Sequence, residues 1–136
     1  MTRAMALSCC LLASATPARA AEASEAAALQ AAEAWLKLID TGQYGASWDG
    51  ASSSFRKAVP RSTWEKKAAA AREPLGKVLE RKVSSQELTH ELPGAPDGTY
   101  VVLIFDTRFE HKERGHETVI MTLDDGRFRA ASYFIR

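Results

Sequence analysis

At Lys77 the sequence changes period. Upstream, apolar residues recur every three or four positions; downstream, they alternate. One element cannot hold both spacings, because a helix gathers residues about 3.6 apart on one side and a strand gathers every second one. The chain therefore divides into a helical first part and a strand-forming second part, a segregation that gives α+β layering. The most strand-prone stretch is "TYVVLIFDTRF", residues 99 to 109. It puts Val101, Leu103, Phe105, Thr107 and Phe109 on one face and Tyr100, Val102, Ile104, Asp106 and Arg108 on the other. Residues 77–90 read as a long, mostly polar strand, 116–123 as a third and 127–136 as a fourth.

The turn before the last strand fixes a register. Asp125-Gly126 is a favoured two-residue hairpin loop. It sets Leu123 opposite Phe128, Met121 opposite Ala130 and Val119 opposite Ser132, which collects the large apolar residues on one buried face. A bulge is expected to break this register near the chain end, at Tyr133.

Three helical segments precede the strands. Residues 22–41 carry Ala28, Ala31, Ala32, Trp35, Leu38 and Ile39 as one apolar stripe, with Gly42 as a left-handed stop. The second segment is broken at Gly50, into a short helix over 44–49 and a further turn over 52–58 that Pro60 ends; Ser52, Ser53 and Ser54 look like helix-start residues. The third opens on Ser62, with Glu65 three residues on as a capping box. Trp64, Ala68, Ala71 and Leu75 repeat along it, Pro74 and Gly76 close it, and Lys66, Lys67 and Arg72 read as its solvated face. The expected fold is thus α+β: three N-terminal helical segments covering one face of a four-stranded antiparallel curved sheet, in a single domain over 21–136.

Residues 1–20 read as a signal peptide. Arg3 is followed by an uncharged apolar run over 4–15, Pro17, and the small-x-small site Ala18-Arg19-Ala20, with cleavage after Ala20. The run of twelve is too short for a membrane-spanning helix. Both cysteines, Cys9 and Cys10, fall inside it, so the mature chain has neither disulfide nor thiolate chemistry. Its expected location is periplasmic or secreted, with a lipid anchor on Cys10 as the minor alternative. Taking Arg3 and Arg19 from the 18 basic residues leaves 16 against 17 acids, a net charge of −1. Neither a nucleic-acid partner nor an anionic membrane is implied after signal removal.

Five stretches carry a resemblance: "AAEAWLKLIDTGQYGASWDGASSSFRKAV", "TWEKKAAAAREPLGKVLERKV", "LPGAPDGTYVVLIFDTRF", "ETVIMTL" and "SYFIR". They resemble domain of unknown function (DUF) family 4019 across nearly all of the mature chain. The most specific pieces are Trp48-Asp49, Trp64, Pro74-Leu75-Gly76, the segment from Leu92 to Tyr100, and Tyr133-Phe134-Ile135. The resemblance implies a small exported bacterial domain without an assigned activity. The order of helices and strands also resembles, in topology alone, the nuclear-transport-factor-two-like or ketosteroid-isomerase-like cone, and a shared fold carries no function by itself.

Site chemistry is sparse. His90, His111 and His116 have no zinc-ligand spacing, so no metal is expected. No "GxSxG" elbow and no phosphate loop occur, and no cofactor is expected. Acid–base work would fall to Asp49, Asp106 or Glu117. Glu117 lies on the inward row with Val119, where burial raises a carboxyl pKa unless a base such as Arg81 pairs with it; a rim salt bridge is the plainer expectation. Trp35 and Trp64 read as core. Trp48, beside Asp49, is the best half-exposed aromatic, able to stack on a ligand or to bond a backbone carbonyl through its N–H. The segment 91–98, with Pro93, Gly94, Pro96 and Gly98, is expected to be a stiff turn that could also serve as a binding rim. The candidate ligand-binding residues are therefore Trp48, Asp49, Arg81 and Glu117. The preferred reading is a non-catalytic binding module for a small ligand or an envelope protein. A cone-type enzyme using Glu117 or Asp49 and a structural accessory module are the alternatives.

Overall fold

A computed structural model of the chain describes residue 14 and residues 16–136. The apolar run over 4–15, including Cys9 and Cys10, lies outside the described residues apart from Ser14.

The architecture is α+β. Helices α1 (Pro17–Asp40), α2 (Tyr44–Asp49), α3 (Ser53–Ala58) and α4 (Arg61–Arg72), with a 3₁₀ turn over Glu73–Leu75, precede four strands: β1 (Val78–Thr89), β2 (Tyr100–Phe109), β3 (Lys112–Asp124) and β4 (Arg127–Ile135). The strands pair antiparallel in the order β1-β2-β3-β4, forming one curved, open sheet. Helix α1 lies across its inner face and touches all four strands, while α2 packs between α1 and α4.

The alternation of β2 sets the core. Val101, Leu103, Phe105, Thr107 and Phe109 are all buried, and Val119 and Met121 of β3 join them from across the ladder. From the other layer come Ala28, Ala32, Trp35, Leu36 and Ile39 of α1 with Trp64 and Ala68 of α4. The stripe on α1 is rotated slightly from the expected one. Leu36 is fully buried and Leu38 only partly.

The β3–β4 hairpin forms as expected at its tip: Asp125 and Gly126 both have positive φ, 51° and 76°, as a type I′ turn requires. Leu123 pairs with Phe128 and Met121 with Ala130. Beyond that point two expectations fail. The bulge comes earlier than Tyr133: Ile120 pairs with Ser132, leaving Ala131 as the extra residue, so Val119 faces Tyr133 and not Ser132. The site of the bulge coincides with the docking of the segment before α3, where the Ser52 amide donates to the Ala130 carbonyl at 2.9 Å. Leu123 is also not core. It is 46 % exposed at the sheet's end.

The helix starts differ from expectation in two places. Helix α1 begins at Pro17 and not at residue 22, so it runs through Ala18-Arg19-Ala20. Helix α4 begins at Arg61 after an extended Pro60, and Ser62 makes no cap. Glu65 turns instead to Arg61, one helical turn back, at 2.9 Å. Ser52 does cap α3, its hydroxyl accepting from the Phe55 amide at 3.1 Å. Accordingly Ser52→Ala is expected to cost about 1 kcal/mol and Ser62→Ala less than about 0.5 kcal/mol, read as shifts of the urea midpoint. Equal effects would contradict this assignment of the caps.

Candidate functional site

Two of the four candidate residues meet, but not at a rim. Glu117 of β3 is fully buried, and both its oxygens are taken. Arg81 of β1 donates from Nε to Oε1 at 2.7 Å and from Nη2 to Oε2 at 3.2 Å. The Thr107 hydroxyl donates to Oε1 and the Tyr133 hydroxyl to Oε2, each at 2.5 Å. Arg72 of α4 approaches Oε2 to 4.0 Å. Asp40, the last residue of α1, closes the circuit by accepting from Arg72 at 2.9 Å and from Arg81 at 2.8 and 2.9 Å.

This network corrects the view of Arg72 as part of a solvated face. Its side chain is 4 % exposed, and the guanidinium lies 4.9 Å from the centre of the Phe109 ring. The signal was present in the sequence: Arg72 follows Trp64 and Ala68 at steps of four, on the stripe that packs inward. Asp40 follows Leu36 in the same way. Two cations balance two anions, as charges removed from water require. Glu117 is fully out of contact with solvent, and the ion cluster around it joins α1, α4, β1 and β3.

The network sets a pH dependence. Burial opposes the charge of Asp40, but the hydrogen bonds and charges of Arg81, then of Arg72, outweigh it and hold the carboxyl below its usual range. Burial first, then the Glu117 charge, raises the Tyr133 hydroxyl. A depressed carboxyl contributes stability that is present above its unfolded value of about 4 and disappears as pH falls through the folded value. A raised phenol contributes stability that is present below about 10 and disappears as pH rises. Unfolding free energy is therefore expected to be level between about pH 5 and pH 9 and to fall on both sides. Asp40→Asn should flatten the acid limb and Tyr133→Phe the alkaline one, in urea titrations across pH. Limbs unchanged in the variants would refute the assignment.

The other two candidates lie apart from this cluster. Trp48 of α2 is half-buried, its indole N–H donating to the Val59 carbonyl at 2.7 Å, which ties α2 to the end of α3. Asp49 is exposed and pairs with Arg61 at 3.2 Å. Beneath them lies a polar node that sequence reasoning missed. Ser47 is fully buried; its carbonyl accepts from Trp35 at 2.8 Å and its hydroxyl from Trp64 at 2.9 Å. Nothing in the composition of "YGASWD" marks that serine, because only the packing of α2 on two tryptophans gives it a role.

A further surface feature lies elsewhere again. A groove of about 610 Å³ runs between α3 and the segment 91–98. Phe55 and Val59 form one wall, Leu92 and Pro93 the other, and Ile120 and Ala131 lie between them. The proline-rich wall is fixed in place. Gly94 has φ +78°, the Gly98 amide donates to the His90 carbonyl at 3.1 Å, and the Tyr100 hydroxyl donates to the Pro96 carbonyl at 2.6 Å. Gly98 itself does not take positive φ. The groove's polar side chains are few: Ser54, Ser132 and Tyr100, whose hydroxyl is taken by the Pro96 carbonyl, line it, and no charged side chain does.

Among the described residues no group of three His, Cys, Asp or Glu side chains could hold a metal ion, and no helix is long and apolar enough to cross a membrane. His111 and His116 are exposed, and His116 pairs with Asp106 at 2.8 Å.

Residues 31–133 match the model of the family described as "Protein of unknown function (DUF4019)", and since the match spans most of the chain, the chain belongs to that family. No curated protein matches it.

Proposed function

From that membership, which brings no activity with it, we propose that this chain is an exported, non-catalytic binding domain whose ligand lies in the groove between α3 and residues 91–98. The observation that carries the reading is the groove itself: about 610 Å³ of mostly apolar space, with one wall held in position before any ligand arrives. Its size falls within the range of small-molecule sites, and a pre-ordered wall lowers the entropy lost on binding. The lining selects an uncharged, flat or aliphatic molecule, with the Ser132 hydroxyl available to one polar group and the Ser54 hydroxyl already paired with Ser52 at 3.0 Å. Full pairing of Glu117 and the exposed ion pair of Asp49 weigh for binding over acid–base chemistry.

Export rests on residues 1–20, with cleavage after Ala20 releasing the mature domain toward the periplasm. Residues 17–20 of α1 are exposed, so their removal would leave the helix's buried residues, which start at Ala28, in place. Mass spectrometry of the secreted form should find Ala21 at its N-terminus; an intact Met1 would count against export.

The binding site is tested by thermal shift with a panel of uncharged aromatic and aliphatic alcohols. A ligand of the native state raises the melting temperature as its concentration rises. Ala58→Trp, at an exposed position of α3 on the groove, should abolish the shift while leaving the unliganded melting temperature unchanged. A shift that survives Ala58→Trp, or none from the whole panel, would defeat this reading.

A further inference from the structure

We infer that the outer edge of β4, beside α4, accepts an extended acidic segment of a partner protein as a fifth strand. This site is separate from the proposed ligand groove. The ladder register identifies the free backbone groups. His116 and Arg136 exchange both of their backbone hydrogen bonds at 2.9 Å. In an antiparallel pair such positions alternate, so Phe134 and Ser132 also turn toward β3, while Tyr133 and Ile135 turn their N–H and C=O groups outward. Among the described residues no partner meets those outward groups.

The edge opens into a channel of about 460 Å³, not flat solvent. Trp64, Ala68, Ala71 and Leu75 line its helix side, and Tyr133 to Arg136 its strand side. The short side chains of Ala68 and Ala71 on α4 leave the channel unfilled beside the strand. The remaining lining residues are Lys67 and Lys112, which with Arg136 make the charged part of the channel wholly basic. That charge selects an acidic segment. It also disfavours a second copy of this chain paired through the same edge, since six cations would then face one another.

The opposite edge of the sheet is built differently. Strand β1 carries exposed Glu80, Lys82 and Glu87 and two register irregularities against β2. Charges and bulges of this kind protect a sheet edge from pairing. Strand β4 has its own bulge at Ala131, but past it Tyr133-Phe134-Ile135 pairs without a further shift and carries no charge, and Phe134 is 39 % exposed. Strand addition takes affinity from the main chain and selectivity from alternate side chains, which suits this combination of free backbone, apolar channel and basic rim.

The test uses capped peptides alternating valine with glutamate, the same peptide with lysine for glutamate, and a glutamate peptide N-methylated at alternate amides. Binding to the chain is followed by NMR and amide hydrogen exchange. The glutamate peptide is expected to saturate and to protect the Tyr133 and Ile135 amides. The lysine peptide should bind at least about tenfold more weakly, and the methylated one not at all. Lys67→Glu with Lys112→Glu should weaken the glutamate peptide by about tenfold. Ala71→Trp, at an exposed position of α4, should close the channel without altering the unfolding curve. The inference is overturned by failure of the glutamate peptide to saturate at millimolar concentration, or by equal affinity for the lysine peptide. It is equally overturned by protection located at β1 or at the groove beside residues 91–98, or by protection of Tyr133 and Ile135 in a self-associated chain without peptide.

Discussion

Replacing Glu117 with alanine is expected to lower the unfolding free energy by about 3–5 kcal/mol. The carboxylate is fully buried and bonds Arg81 through two nitrogens, with the Thr107 and Tyr133 hydroxyls completing its shell. Without it, Arg72 and Arg81 share Asp40 as their only anion in the cluster, and two hydroxyls lose an acceptor. Most of the cost comes from the charge left unpaired in a dry place, so removing its partner as well should recover much of it. The double replacement Glu117→Met with Arg81→Met keeps the Asp40–Arg72 pair, at 2.9 Å, and restores charge balance. It should be more stable than Glu117→Ala, with a coupling of at least about 1 kcal/mol in the cycle. Urea unfolding at pH 7 gives both numbers. A loss below about 1 kcal/mol for Glu117→Ala would mean that the cluster is wet or rearranged.

Trp35→Ala should cost a similar amount, about 3–5 kcal/mol, by a different route. The ring packs edge-on to Tyr133 at 5.5 Å and tilted against Trp64 at 6.1 Å, in the middle of the helix–sheet contact. Truncation therefore opens a cavity among residues already fixed by α2 and β4. Trp35→Phe should fill most of that space and lose only the hydrogen bond to the Ser47 carbonyl, costing about 1–2 kcal/mol. The order of the two variants is the diagnostic. If Trp35→Phe were as damaging as Trp35→Ala, the polar node at Ser47 and not the packed volume would hold the layers together.

The bulge at Ala131 links these two sites. Up to Ala130 the even-numbered residues of β4 face inward; after the extra residue, the odd-numbered ones do. That change of phase turns Tyr133 toward Trp35 and Glu117. An unbroken register would have presented Ser132 and Phe134 inward instead, leaving Glu117 without its phenol. Residue pattern indicated that a break was needed near the chain end but placed it two residues late. Its position coincides with where the segment before α3 docks on the strand edge, a long-range contact with no signature of its own.

The candidate residues were legible to different degrees. Pairing of Arg81 with Glu117 could be anticipated because an inward acid needs a base within reach. Arg72 and Asp40 were passed over because a charge on an alanine-rich helix reads as solvent-facing, although their spacing put them on the buried stripe. Trp48 stood out by type, yet its N–H is taken by the Val59 carbonyl. The proline-rich segment was recognised as a stiff turn; its place opposite α3, which makes it a groove wall, follows only from how β1 and β2 hold it against that helix.

By itself the sequence determined the two layers, the strand pairing around Asp125-Gly126 and the inward face of β2, because each depends on spacing between near neighbours. Tertiary structure decided which charges are buried together, where the β4 ladder shifts phase, and which surfaces are left open. Those outcomes depend on groups tens of residues apart, as Asp40, Arg72 and Glu117 are, and only the closing of helices onto the sheet brings them within a few ångströms.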